Sequence, residues 1–255
     1  MIIKKTPIIL ANWKMNLGVA DSVKLARQIV RLAGKALTQC ELVLCPSFPA
    51  LAAVSKEVSD KRVHLGAQDV FWKPSGPYTG EVSPTVLREL GVEYVIVGHS
   101  ERRQYLNETD LMVHQKLIAV LAAQLIPVLC VGETFSERQA GRKDLVVARQ
   151  VSAAVQGLQL SPKSQLVVTY EPVWVIGSGQ AVEPEEAAHT ARVIEQALID
   201  ELPVEVVKKQ VRIIYGGSVD LTNIDSFVNT EPLRGVLVGG ASLEAEKFVP
   251  LLKQL

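Results

Sequence analysis

Three cysteines in 255 residues, Cys40, Cys45 and Cys130, are too few for a disulfide framework, and no spacing among them suits a metal. The number is odd, so reduced thiols in a cytoplasmic protein are expected. Net charge is missing too: 27 basic and 27 acidic residues cancel. No overall field draws the chain to nucleic acid or to an anionic membrane, and an anionic ligand has to be caught by local groups. The longest apolar segment, residues 117–132, is broken by Gln124 and Pro127 and reads as a helix end feeding a buried strand rather than a membrane span. The opening Met1-Ile2-Ile3-Lys4-Lys5-Thr6-Pro7 holds basic residues but too short an apolar stretch for a signal peptide. Linkers, charge blocks and low-complexity tracts are absent as well.

What the chain does have is apolar material, 48% of it, in short runs that mostly stop at polar or glycine-containing ends. Eight runs stand out, at residues 8–12, 42–46, 63–68, 94–98, 127–131, 166–170, 211–215 and 235–239. From Asn12 to Gly239 they recur at roughly 32 residues, the size of a strand–helix–strand unit. Unbroken apolar character, as in Val95-Ile96-Val97, marks strands buried on both faces, hence a parallel sheet with helical crossovers. Residues 22–37 carry a helical stripe at Val23, Ala26, Ile29, Val30, Ala33 and Leu37. Pro184, followed by Glu185 and Glu186, opens a helix through Leu198. The spacing predicts one (β/α)8 barrel domain over residues 1–255. A doubly wound sheet is the alternative, weakened because no G-x-G-x-x-G follows the first run.

A barrel of this kind works at the carboxyl ends of its strands. Those ends carry Asn12-Trp13-Lys14, Gly98-His99-Ser100-Glu101, Glu171, Tyr215-Gly216-Gly217-Ser218 and Gly239-Gly240-Ala241-Ser242. The two double glycines allow backbone N–H groups to approach an anion, each leading into a predicted helix, and loops seven and eight are where this fold binds phosphate. Each pair by itself also reads as an ordinary turn. His99 is either a structural hydrogen-bonder or, if Ser100 begins a helix, a neutral ring facing that helix end. Lys14 is either a surface lysine or packs its stem beside Trp13 and reaches inward. Asn12 could simply bond local backbone. Glu171 makes the strongest claim, since a lone carboxylate at the end of an apolar strand is costly unless it is paired or used. The segment after it, VWVIGSG, reads as an apolar flap that expels water, which suits proton abstraction.

The blocks ANWKMN (11–16), GHSERR (98–103), YEPVWVIGSG (170–179), YGGSV (215–219) and LVGGASL (237–243), in order along nearly the whole chain, resemble the triosephosphate isomerase family. The resemblance implies interconversion of dihydroxyacetone phosphate and glyceraldehyde 3-phosphate in glycolysis and gluconeogenesis, with no metal or organic cofactor. It implies Glu171 as the base and neutral His99 as the group that polarises the carbonyl. Lys14 would offset negative charge, Asn12 would donate to a substrate oxygen, and Glu101 would organise the groups behind them. The phosphate would rest on N–H groups of Gly177, Ser218, Gly239 and Gly240. Pro172, Val173, Trp174, Val175, Ile176, Gly177 and Ser178, ending at Gly179, would form a lid that shields the intermediate from water. These roles follow a pattern worked out for the family and used as a general example of tuned acidities.

The family usually has a small residue where Val175 stands and often threonine in place of Ser178, so lid kinetics are expected to differ while the chemistry stays. GPYTGEVS (76–83) resembles the family's long third loop, which crosses to a second subunit. In a homodimer Thr79 would approach Asn12 of the other copy, the loop would cover its Met15, and Glu81 would face its Arg102. Two rivals remain at this stage: a barrel isomerase or lyase acting on a larger sugar phosphate, and a catalytically silent barrel used for binding.

Overall fold

A computed structural model describes residues 6–58 and 62–255; the expectation about residues 1–5 lies outside the described residues. Eight parallel strands close on themselves in sequence order. They are β1 (Ile8–Asn12), β2 (Glu41–Cys45), β3 (Val63–Ala67), β4 (Val92–Val97), β5 (Ile126–Val131), β6 (Leu166–Tyr170), β7 (Val211–Tyr215) and β8 (Leu233–Val238). Each lies on one of the eight apolar runs, with ends shifted by two residues at most. The barrel expected from the sequence is the one observed.

Alternation explains why the strands are apolar on both sides. Ile8 and Leu10 join Val43, Ile96, Val128 and Val167 in a cluster made of strand residues, which fills the barrel. Ile9 and Ala11 join helix residues such as Leu25 and Ile29 in the layer between sheet and helices. Burying each such side chain fully is worth about 1.5–3 kcal/mol, so both faces contribute. The seam is tight where β8 meets β1. Gly235 has φ +147°, and a Cβ there would sit 2.0 Å from the Ile8 carbonyl oxygen.

The floor of the barrel is polar and sealed. Arg212 Nη1 donates to Glu41 Oε2 at 2.6 Å, and its Nη2 donates to the Tyr94 hydroxyl at 3.0 Å and to Gln165 Oε1 at 3.2 Å. Tyr94 in turn donates to Glu41. Arg212 is itself buried, so this cluster closes the amino-terminal mouth and leaves the opposite mouth for ligands.

Helix Val19–Ala33 starts three residues before the predicted one. It ends at Gly34, whose φ of +49° breaks the α-helix, and the chain continues to Thr38 as a 3-10 turn. Helix Pro184–Glu201 begins where expected, with the proline in its first turn and Glu183 making no side-chain cap.

Candidate active site

The strand ends converge as their positions in the barrel require. Lys14, His99, Glu171, Gly177, Ser218, Gly239 and Gly240 all line one cavity of about 270 Å³ at the carboxyl mouth. That is below the usual range of pockets for drug-sized ligands, which favours a small molecule. Asn12 does not line this cavity; it is buried at the end of β1, where its Oδ1 accepts the Lys14 backbone N–H at 3.0 Å. The local-backbone reading of Asn12 therefore describes its oxygen.

His99 caps helix Ser100–Leu106, and its Nδ1 accepts the Glu101 N–H at 3.2 Å. An accepting Nδ1 puts the ring proton of the neutral form on Nε2. That nitrogen stands 3.1 Å from Glu171 Oε1. The other carboxylate oxygen, Oε2, accepts the Ser100 N–H at 2.9 Å, so the helix start holds the acid as well as the imidazole. Oε1 is buried and has no hydrogen-bond partner. A shielded carboxylate oxygen left free beside an imidazole is the kind of exception that calls for a functional reason. Room for it comes from Gly216, where a Cβ would lie 3.1 Å from Glu171 Cγ and 2.5 Å from Thr169 Cγ2.

Lys14 adopts a left-handed backbone, φ +52°, uncommon for a residue with a side chain. Gln68 Nε2 donates to the Lys14 carbonyl at 2.8 Å and to the Cys45 carbonyl at 2.9 Å, tying the turn to β2. The ammonium meets Glu101 Oε1 at 2.6 Å. Glu101 thus touches Lys14 directly, and its Oε2 lies 3.6 Å from His99 Nδ1.

The flap forms a 3-10 turn, Val173–Val175. Val175 is completely buried, and its carbonyl accepts from the Ser178 N–H, the Ser178 hydroxyl and, at 3.3 Å, the Ser218 hydroxyl. Gly177 and Gly179 both have φ +76°, a conformation that suits glycine at a bending point. Trp174 donates from Nε1 to Glu133 Oε1 at 2.8 Å while the Arg138 guanidinium lies 4.4 Å from its ring. Burial pushes the Glu133 carboxyl up from its ordinary value.

The two glycine loops differ. Gly240 opens a short 3-10 helix, as expected. The loop after β7 does not lead straight into a helix, contrary to expectation, because helix Ile224–Asn229 begins well after the glycine pair. The intervening loop closes on itself: Asp220 Oδ1 accepts the Thr222 N–H at 2.8 Å and the Thr222 hydroxyl at 2.6 Å, and the Asp220 N–H donates to Asn223 Oδ1. The backbone N–H groups there belong to a loop, without a helix directly behind them.

The remaining residues of interest lie away from the cavity. Met15 is 94% exposed at the mouth, and Thr79 and Glu81 are exposed on the third loop. Arg102 is already bonded within its own chain, to Glu108 and, at 2.9 Å, to Asp69 Oδ2, so a contact with Glu81 of another copy would share it. Those two carboxylates also hold Lys116, which is buried. Burial, reinforced by Glu108, raises the Asp69 carboxyl to about 6 even with both cations beside it. Glu133, Gln68 and Asp220 were missed in the sequence. No local motif marks them, although Gln68, one residue past β3, and Glu133, two past β5, stand at strand ends that point to the mouth.

A family model described as triosephosphate isomerase matches residues 7–255. The chain is 42% identical over 246 residues to a triosephosphate isomerase of Dictyoglomus turgidum, covering 96% of this chain and 98% of that protein. It is 44% identical over 248 residues to one of Moorella thermoacetica, covering 97% of this chain and 98% of the relative. A third, from Alkaliphilus metalliredigens, is 41% identical over 248 residues, 97% of this chain and 99% of its own.

Proposed function

The chain belongs to the triosephosphate isomerase family and is an isomerase that interconverts dihydroxyacetone phosphate and D-glyceraldehyde 3-phosphate, a glycolytic step, and from that premise we propose how its residues divide the work. Glu171 takes the proton from the carbon next to the carbonyl and later returns one to the neighbouring carbon. His99 donates from Nε2 to the carbonyl oxygen and passes protons between the two oxygens of the enediol(ate). Lys14 offsets the charge of substrate and intermediate, Asn12 donates from its amide nitrogen to a substrate oxygen, and Glu101 holds Lys14 in place. N–H groups of Gly177, Ser218, Gly239 and Gly240 bind the phosphate. Residues 172–179 close as a lid that keeps water from the intermediate.

One observation carries this division of labour: the buried Glu171 carboxylate, anchored through one oxygen to Ser100, keeps the other unpartnered beside His99 Nε2 in the cavity that Lys14 shares. The test is turnover of glyceraldehyde 3-phosphate in a coupled assay, wild type against Glu171→Gln. Removal of a general base lowers turnover at least about 100-fold. A loss of only a few-fold would exclude Glu171 as the base, and a wild type active only on longer sugar phosphates would return the first rival.

The proposal extends to assembly and setting. It takes the chain as one domain that pairs with a second copy in the cytoplasm through the third loop. The loop is held together by its own rings: Phe71 stacks on Trp72 and meets Tyr78 at a tilt, with ring centroids 4.1 and 4.6 Å apart. Met15, almost wholly exposed, is a side chain that a partner loop would cover. No described helix is long and apolar enough to cross a membrane. Sedimentation velocity is expected to give a dimer for wild type and a monomer for Met15→Arg; a wild-type monomer would remove the pairing.

A further inference from the structure

The cavity carries one acidic side chain besides Glu171, and the division of labour above gives it no task. Asp220 lines the wall together with Ser218, Gly239 and Gly240, and it is exposed. Both groups bonded to its Oδ1 are neutral, the N–H and hydroxyl of Thr222. The cation on this wall, Lys14, is already engaged by Glu101 at 2.6 Å. A dianion entering the cavity therefore meets a carboxylate whose charge nothing on its own loop offsets.

We infer that Asp220 is a specificity-determining residue that weakens the binding of phosphate dianions in this cavity, and so sets how readily substrate, product and free phosphate leave it. The inference rests on the reading that the substrate phosphate occupies the cavity. Its physical content is simple repulsion. A unit charge and a dianion about 8 Å apart in a water-like medium repel enough to change affinity roughly fourfold at low salt. At high salt the same pair is screened almost completely. The loop shape does not depend on the charge, since an asparagine oxygen accepts the Thr222 N–H as the aspartate does.

The test is competitive inhibition by inorganic phosphate, measured for wild type and Asp220→Asn at about 10 mM and about 500 mM ionic strength. The asparagine variant should bind phosphate about three- to fivefold more tightly at low salt, with the advantage shrinking below about 1.5-fold at high salt. Asp220→Glu, which keeps the charge but disturbs the turn, should show no such gain. Equal or weaker phosphate binding by Asp220→Asn at low salt overturns the inference. So does a gain that persists undiminished at high salt, because shape rather than charge would then be responsible. Wild type that phosphate does not inhibit would instead sink the phosphate reading of the cavity, and the inference with it.

Discussion

Val175→Ala separates two effects that the sequence runs together. The β-branched side chain restricts the backbone of the proposed lid, and the structure adds that it is fully buried. Truncation removes two buried carbon groups, worth about 1.6 kcal/mol in transfer, and the space left behind brings the cost to about 2 kcal/mol. If the packing belongs to one position of the lid, the whole cost falls on the lid equilibrium. That shift of about 2 kcal/mol is roughly 30-fold in population. If the packing belongs to the barrel in every lid position, the cost falls on global stability and lowers the melting temperature by about 4–8 °C for a domain of this size. Stopped-flow measurement of product release, steady-state turnover and thermal unfolding on the same preparations tell the cases apart. The expected outcome is a change in product release with a primary deuterium isotope effect on the proton abstraction left intact, and little change in melting. Unchanged release, turnover and melting together would refute the packing argument as well as the kinetic one.

Two further outcomes follow from side chains that support the site from outside it. Gln68→Ala removes both hydrogen bonds that hold the left-handed turn at Lys14, at about 1–2 kcal/mol, and should lower kcat/KM roughly 5- to 30-fold with melting little changed; an unaltered kcat/KM would show that the turn holds without it. The Asp69 carboxyl, raised to about 6 by burial, binds its proton more tightly in the folded chain than in the unfolded one. Its contribution to stability is therefore present in full below the unfolded value and is lost as pH rises through about 6. Denaturant unfolding of wild type and Asp69→Asn from pH 4 to 7 should show the wild-type advantage shrinking by about 2 kcal/mol, and an advantage that grows with pH would reverse the assigned sign.

The strands were legible because a parallel strand in a closed barrel is apolar on both faces, so the run itself is the signal. Their ends were less so. Glu93 is exposed inside β4 and Arg234 only half-buried inside β8, and each polar residue hid the true start of its strand. Glu171 and His99 were legible because strand ends are where this fold keeps its chemistry. Gln68 was not, because its importance comes from the Lys14 carbonyl 54 residues away. The same holds for Lys116, which binds Asp69 across 47 residues, and for Glu133, whose partner Trp174 lies 41 residues on. Asp220 was overlooked for another reason: after two glycines a helix start was expected, and an aspartate in a self-closed loop gives no periodic signal.

Because every strand is bonded to two neighbours around a ring, detaching any one of them tears two seams at once. An open sheet offers a cheap first step at its margins, and this sheet has no margin. Fraying under heat or denaturant must then begin in the outer helices and loops, with the ring giving way late and all together. The groups fastened to the strand ends, Glu171 and His99 among them, are consequently mounted on the last part of the molecule to come apart.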